Sequence, residues 1–162
     1  MAPATSMRIR AAYPREIGTL VGFNCSMALE TEGRELDAAR VRAGVEAVFS
    51  DPSRGTYYVA LREEDPVGAL LVTSEWSDWR NGLFWWIQSV YVTPAARRTG
   101  VFTALYEHVS ALARDDARVC GIRLYVERDN QRAQTTYANL GMLDTGYRVM
   151  EADFTKGIKS YA

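Results

Sequence analysis

The sequence predicts an α/β sandwich built on a mixed sheet, as a single domain over residues 1–162. Two observations carry this. Runs of β-type residues alternate with segments whose apolar residues recur at helical period, in the order β-α-α-β-β-β-α-β-α-β. One run, 83–92, is almost entirely apolar, as a central strand covered on both faces must be. The size agrees. A chain of 162 residues can build one core and is too short for two ordinary domains, and 48% hydrophobic with 24% charged residues is a globular balance.

Residues 7–12 alternate as a short first strand. Pro14 suits the first position of a helix, where its missing amide costs nothing, and Ile17, Leu20, Val21, Asn24, Met27 and Ala28 share one face of that helix. Gly33 ends it. Asp37 is the N-cap of a second helix with Val41, Val45, Val48 and Phe49 on its apolar side. Residues 51–55 form a loop, and 56–61 and 67–75 are strands joined by a Glu63-Glu64-Asp65-Pro66 turn. Asn81-Gly82, two residues that tolerate positive φ, marks a hairpin into the strand 83–92, which Pro94 stops. Gly100 opens a helix to about Arg114 that turns Val101, Leu105, Val109 and Leu112 to one side. Residues 122–126 are a further strand. Asn130 caps a helix through Leu140, Gly141 ends it, and 143–154 supply a last strand with a turn near Gly146.

Composition excludes several function classes. Lys and Arg number 19 against 20 Asp and Glu, a net charge of -1, so neither nonspecific nucleic-acid binding nor a polybasic membrane contact is expected. No apolar run approaches the ~20 residues that cross a bilayer. Residues 1–10 lack the layout of a secretory signal, which points to the cytoplasm. Cys25 and Cys120 stand far apart, and the chain has one histidine, His108, so no metal site is expected. His108 lies inside a helix and reads as structural, and the cysteines read as small apolar fillers.

The chemistry concentrates after the central strand. Ser89, Val90, Tyr91, Val92, Thr93, Pro94, Ala95, Ala96, Arg97, Arg98, Thr99, Gly100, Val101 and Phe102 carry the chain from a strand through a basic, glycine-containing loop into a helix. Such a loop aims backbone amides and the positive end of a helix dipole at one point, which suits a phosphate or pyrophosphate. It reads equally as a surface loop before an ordinary helix. Neither the Gly-Lys-Ser/Thr of a P-loop nor a Gly-x-Gly-x-x-Gly fingerprint is present. Some thirty residues on comes Asn130-x-x-Ala133-x-x-x-Tyr137-x-x-Leu140-Gly141. Ala133 and Tyr137, four apart, share a helix face on which a small residue admits a ligand and a hydroxyl can reach it. Asn130 alone is also explained by capping, and Tyr137 alone by a core aromatic.

Taken together, the two constellations resemble the GNAT N-acetyltransferases, and more distantly the spermidine/spermine-type members. In that family an Arg/Gln-x-x-Gly-x-Gly/Ala loop grips the pyrophosphate of acetyl-CoA, and an Asn-x-x-Ala-x-x-x-Tyr helix holds the pantetheine arm. Arg97, Gly100, Asn130, Ala133 and Tyr137 match those positions; Phe102 stands where the last Gly or Ala is usual. The resemblance implies a mostly antiparallel GNAT-like sheet flanked by helices and acetyl-CoA as co-substrate. It places cofactor binding at Val90, Tyr91, Val92, Arg97, Arg98, Thr99, Gly100, Val101, Phe102, Asn130, Ala133 and Tyr137. Direct attack of a primary amine, from a small molecule or peptide, on the thioester is the implied reaction. Amides around Val90, Tyr91 and Val92 would polarise the carbonyl, and Tyr137 would protonate the leaving thiolate. Where relatives carry acidic residues in the central strand, this chain has Gln88 and Ser89. The base is then Glu30, Glu32, Glu75 or a water chain, and Glu30 is the residue chosen with Tyr137 as catalytic. Two rivals remain: an acyl-CoA-binding protein whose catalysis has lapsed, and a noncatalytic nucleotide-phosphate binder. Trp76, Trp79, Trp85 and Trp86 fall in one hairpin beside Asp78 and Arg80 and could serve an organic cation, a dimer surface or the core. A homodimer is expected.

Overall fold

The computed structural model describes residues 7–155, and the chain divides after Tyr125 into two compact units. The first unit opens with strand β1 (Met7–Ala11). Pro14 heads a short 3-10 turn, Pro14–Glu16, rather than the regular helix, and α1 (Ile17–Glu32) starts behind it. The turn is locked by an ion pair: Glu16 is buried and its carboxylate accepts from Arg10 at 2.7 and 2.9 Å and from the Tyr13 amide at 2.7 Å. Gly33 ends α1 in the left-handed conformation, φ 61°, that a side chain would disfavour. Asp37 caps α2 (Ala38–Ser50) as its residue type predicts, accepting from the amides of Ala39 and Arg40.

Strands β2 (Thr56–Arg62), β3 (Asp65–Ser77) and β4 (Gly82–Val92) follow as hairpins. Helix α3 (Val101–Asp115) then crosses to β5 (Val119–Leu124). The sheet order is β1-β2-β3-β4-β5, antiparallel except for the parallel β4–β5 pair. The last pair must be parallel because a helix, not a hairpin turn, connects its strands. Alternation along the strands feeds two cores. Tyr57, Val59, Leu61 and Ala69 pack beneath Leu20 and Val21 of α1 and Val45 of α2. On the other face Ala60, Leu70, Val72 and Ile87 meet Val101, Leu105 and Val109 of α3. The His108 ring lies edge-on to that of Tyr58 at 5.6 Å.

Two expectations need correction. The strand expected at 122–126 lies earlier, at Val119–Leu124, because its pairing with β4 runs from Val119 opposite Leu83 to Leu124 opposite Ile87. Pattern marks a β run; the partner's register sets its ends.

The second unit contains α4 (Gln131–Asn139), capped by Asn130, with Gly141 beyond it at φ 87°. The strand expected at 143–154 is not formed: these residues carry no helix or strand. A strand needs a hydrogen-bonded neighbour, and apolar residues alone do not supply one. Tyr147, Met150 and Phe154 are all exposed, Phe154 at 95%. Among the described residues no helix is long and apolar enough to cross a membrane.

Candidate active site

The site is prepared by an irregularity in β4. Leu71 pairs with Gln88 and Ala69 with Tyr91, so Ser89 and Val90 together oppose Leu70 as a bulge. Ser89 takes φ 50°, a conformation that a non-glycine residue adopts at some cost. The parallel pairing with β5 stops just before the bulge, at Ile87 and Leu124. From Gln88 onward β4 has β3 on one side and, among the described residues, no strand partner on the other. The Thr93 amide donates to Val67 of β3 at 2.9 Å. Because amides alternate sides along a strand, the Val92 amide faces away from β3, into the gap left by β5. Of the amides expected to act around Val90, Tyr91 and Val92, that of Val92 thus faces the gap, while by the same alternation that of Tyr91 faces β3.

The loop beyond β4 turns tightly. Pro94–Ala96 is a 3-10 turn with Ala96 buried, Arg98 is left-handed at φ 63°, and Gly100 precedes α3 at φ 82°. The first amides of α3 have no carbonyl one turn back within the helix, which is the geometry of an anion site. A Cβ at Gly100 would meet nothing within 4 Å, so there is room in front of the helix. Gly68 lets the loop seat on β3, since a Cβ there would come within 2.8 Å of Val101. Phe102, the departure from the usual pattern, places its ring 6.2 Å from that of Tyr106 on the same helix.

The loop arginines are held unequally. Arg97 ion-pairs with Glu30 from the end of α1, donates from Nε to the Val92 carbonyl at 3.0 Å and lies over the Tyr91 ring. The Tyr91 hydroxyl donates to the other oxygen of Glu30 at 2.9 Å. These partners, Arg97 first, lower the pKa of Glu30, which makes it a weaker base. Arg98 has no such tie among the described residues. Arg62, at the end of β2, donates to the Thr99 hydroxyl, which itself donates to the Ala96 carbonyl at 2.6 Å. Sequence reasoning missed Arg62, and no local signal marks it: 37 positions separate it from Thr99.

Of the other candidate bases, Glu32 pairs with Arg34 at 3.4 Å and Glu75 with Arg123 at 2.8 Å. The hairpin tryptophans do not form one cluster. Trp85 packs on the α3 side of the sheet, Trp86 stacks on Tyr125 at 4.5 Å, and Trp79 is 91% exposed. A cleft of about 380 Å³ lies on the α3 face, lined by Tyr58, Ser74, Trp85, Asp116 and Arg118 among others; it contains none of the expected cofactor residues.

In the second unit, Asn130 Oδ1 accepts from the Ala133 amide at 3.0 Å, so the capping role is real. Its Nδ2 makes no hydrogen bond among the described residues. Tyr137, one turn beyond Ala133 on α4, is half-buried, and burial raises its phenol pKa.

Residues 18–142 match the model of the acetyltransferase (GNAT) family. The chain belongs to the GNAT acetyltransferases. This GNAT acetyltransferase is 40% identical to a possible acetyltransferase from Clostridium difficile, with a TM-score of 0.85 over 92% of this chain and 98% of that one. It shares its fold with a predicted acetyltransferase from Clostridium acetobutylicum solved with acetyl-CoA, at 17% identity and a TM-score of 0.73 over 91% and 96% of the two chains. An aminoglycoside N-acetyltransferase in complex with CoA has a TM-score of 0.77 at 13% identity, over 96% and 99%. No match was found among curated proteins. The GNAT fold and an acyltransferase activity follow from the family.

Proposed function

We propose that this GNAT acetyltransferase moves an acetyl group from acetyl-CoA to a primary amine of a small molecule or peptide by direct attack. The observation that carries the proposal is the bulge at Ser89 and Val90 together with the end of β4–β5 pairing at Ile87, which turns the Val92 amide to the gap beside a basic helix N-terminus. In this reading Arg98, Thr99, Gly100, Val101 and Phe102 take the pyrophosphate. Asn130 and Ala133 hold the pantetheine, and of the amides around Val90, Tyr91 and Val92 the one that faces the gap, Val92, polarises the carbonyl. The amine nitrogen bonds to the acetyl carbon, the carbon–sulfur bond breaks, and Tyr137 gives its phenol proton to the sulfur. Glu30, already holding Arg97 and Tyr91, serves to fix the loop against α1, and the surplus amine proton passes to water.

Acetyl-CoA is expected to raise the melting temperature by mass action. Gly100→Val adds a branched side chain where phosphate must approach backbone, at a φ that disfavours it. It should weaken acetyl-CoA binding at least tenfold by calorimetry, and unchanged affinity would remove the loop from the site. Release of CoA thiol in the presence of an amine panel separates this reading from a lapsed acyl-CoA binder. That second reading is favoured by one observation: Glu30, Glu32 and Glu75 are all ion-paired.

We also propose a homodimer, supported by the apolar surface at the β3–β4 hairpin, where Trp76 is 60% and Trp79 91% exposed. Light scattering should return twice the 18.1 kDa chain mass, and a monomer at high micromolar concentration would refute it.

A further inference from the structure

On the α1 side of the sheet, the packed apolar cover extends along β3 only to Leu71. The same face then continues beyond that cluster. Leu71 pairs with Gln88, Thr73 with Trp86 and Glu75 with Phe84, while Trp86 pairs with Arg123 on β5. Thr73, Glu75, Phe84, Trp86, Gln88 and Arg123 therefore point one way. Phe84 is buried, its ring lying against Gly121, where a Cβ would come within 2.8 Å of it. Trp86 stays half-exposed and stacks on Tyr125, which is 60% exposed.

The charges on this face are already matched. Arg123 donates to Glu75 at 2.8 Å while lying 3.6 Å over the Phe84 ring, and Glu30 is engaged by Arg97 and Tyr91. A polyamine needs several unmatched carboxylates, and this face supplies none among the described residues. What it offers is a half-exposed stack of two aromatic rings and one amide oxygen. Gln88 Nε2 donates to the Thr73 hydroxyl at 2.5 Å, which turns Gln88 Oε1 into the remaining acceptor, one residue before the bulge. Trp86 and Gln88 lie two residues apart, about 7 Å along the strand. A ring with a short carbon arm ending in an amine spans that distance.

We infer that the acceptor is an arylalkylamine, with its ring against the outer face of the Trp86–Tyr125 stack and Gln88 Oε1 accepting a hydrogen from its amine. The inference rests on the acetyltransferase reading above and names its substrate class. Trp86 and Tyr125 are specificity-determining residues in this assignment; they touch the ring and not the reacting carbonyl.

The test measures CoA release with 2-phenylethylamine, hexylamine and spermidine, beside calorimetric binding of acetyl-CoA. Phenylethylamine should be preferred over both others by roughly tenfold or more in kcat/KM. Trp86→Leu should raise its KM about tenfold with kcat within about twofold and acetyl-CoA affinity unchanged, while Trp86→Phe keeps most of the preference. Preference for spermidine or hexylamine, or an unmoved KM in Trp86→Leu, overturns the inference. So does acetyl-CoA binding without turnover of phenylethylamine. Absence of acetyl-CoA binding would instead refute the acetyltransferase reading, and this assignment with it.

Discussion

Replacing Tyr137 with Phe is expected to lower kcat by roughly 10²–10⁴-fold, the usual range for a general acid. The substitution keeps the ring and its burial on α4 and removes only the hydroxyl, so the fold should survive. A CoA thiol is acidic enough to leave partly unaided, which places the expected loss toward the lower end of that range. KM for acetyl-CoA should move much less, because the proposed pyrophosphate and pantetheine contacts lie on other residues. The pH profile supplies an independent sign. Burial raises the Tyr137 pKa above the ordinary phenol value of 10.0, so the donor is protonated at neutral pH. Any loss of rate from its ionisation falls above pH 10 and should be absent from the Phe variant. A kcat within twofold of the parent, with chemistry shown to be rate-limiting, would make Tyr137 a packing residue.

Glu16→Ala is expected to cost about 3 kcal/mol of folding stability, the lower end of the range for breaking a buried ion pair. The carboxylate accepts from Arg10 at 2.7 and 2.9 Å and from the Tyr13 amide at 2.7 Å, and its removal leaves a mostly buried guanidinium unmatched. The pH dependence follows from the direction of the shift. The hydrogen bond from Arg10, more than any other cause, lowers the folded pKa of Glu16 below its ordinary 4.5. As pH falls, the unfolded chain binds the proton first. The contribution is therefore complete above pH 4.5 and is lost as pH falls through the folded value. Urea unfolding should show the parent losing more stability between pH 6 and pH 3 than Glu16→Gln does. A cost below about 1 kcal/mol for Glu16→Ala would mean that the pair contributes no more than an exposed one.

Local chemistry determined much of this protein without reference to the rest of the chain. Asp37 and Asn130 cap helices because a short acceptor side chain meets unpaired first-turn amides, and Gly33, Gly100 and Gly141 stand where φ is positive. The loop between β4 and α3 and the helix capped by Asn130 were legible for the same reason: each is one strand-to-helix or loop-to-helix junction whose residues are near neighbours. What needed the tertiary structure was everything set by pairing at long range. Residues 143–154 look like a strand, yet no ladder forms there, and β5 begins at Val119 because β4 fixes its register. Glu30 looked like a free carboxylate at a helix end until the fold brought Arg97 to it from 67 positions away. Four tryptophans in one hairpin looked like one cluster, but Trp85 and Trp86 are adjacent, and neighbours in a strand face opposite sides of the sheet. Caps and turns depend on atoms a few bonds apart. Ion pairs, strand partners and the faces of a sheet depend on where distant segments come to rest.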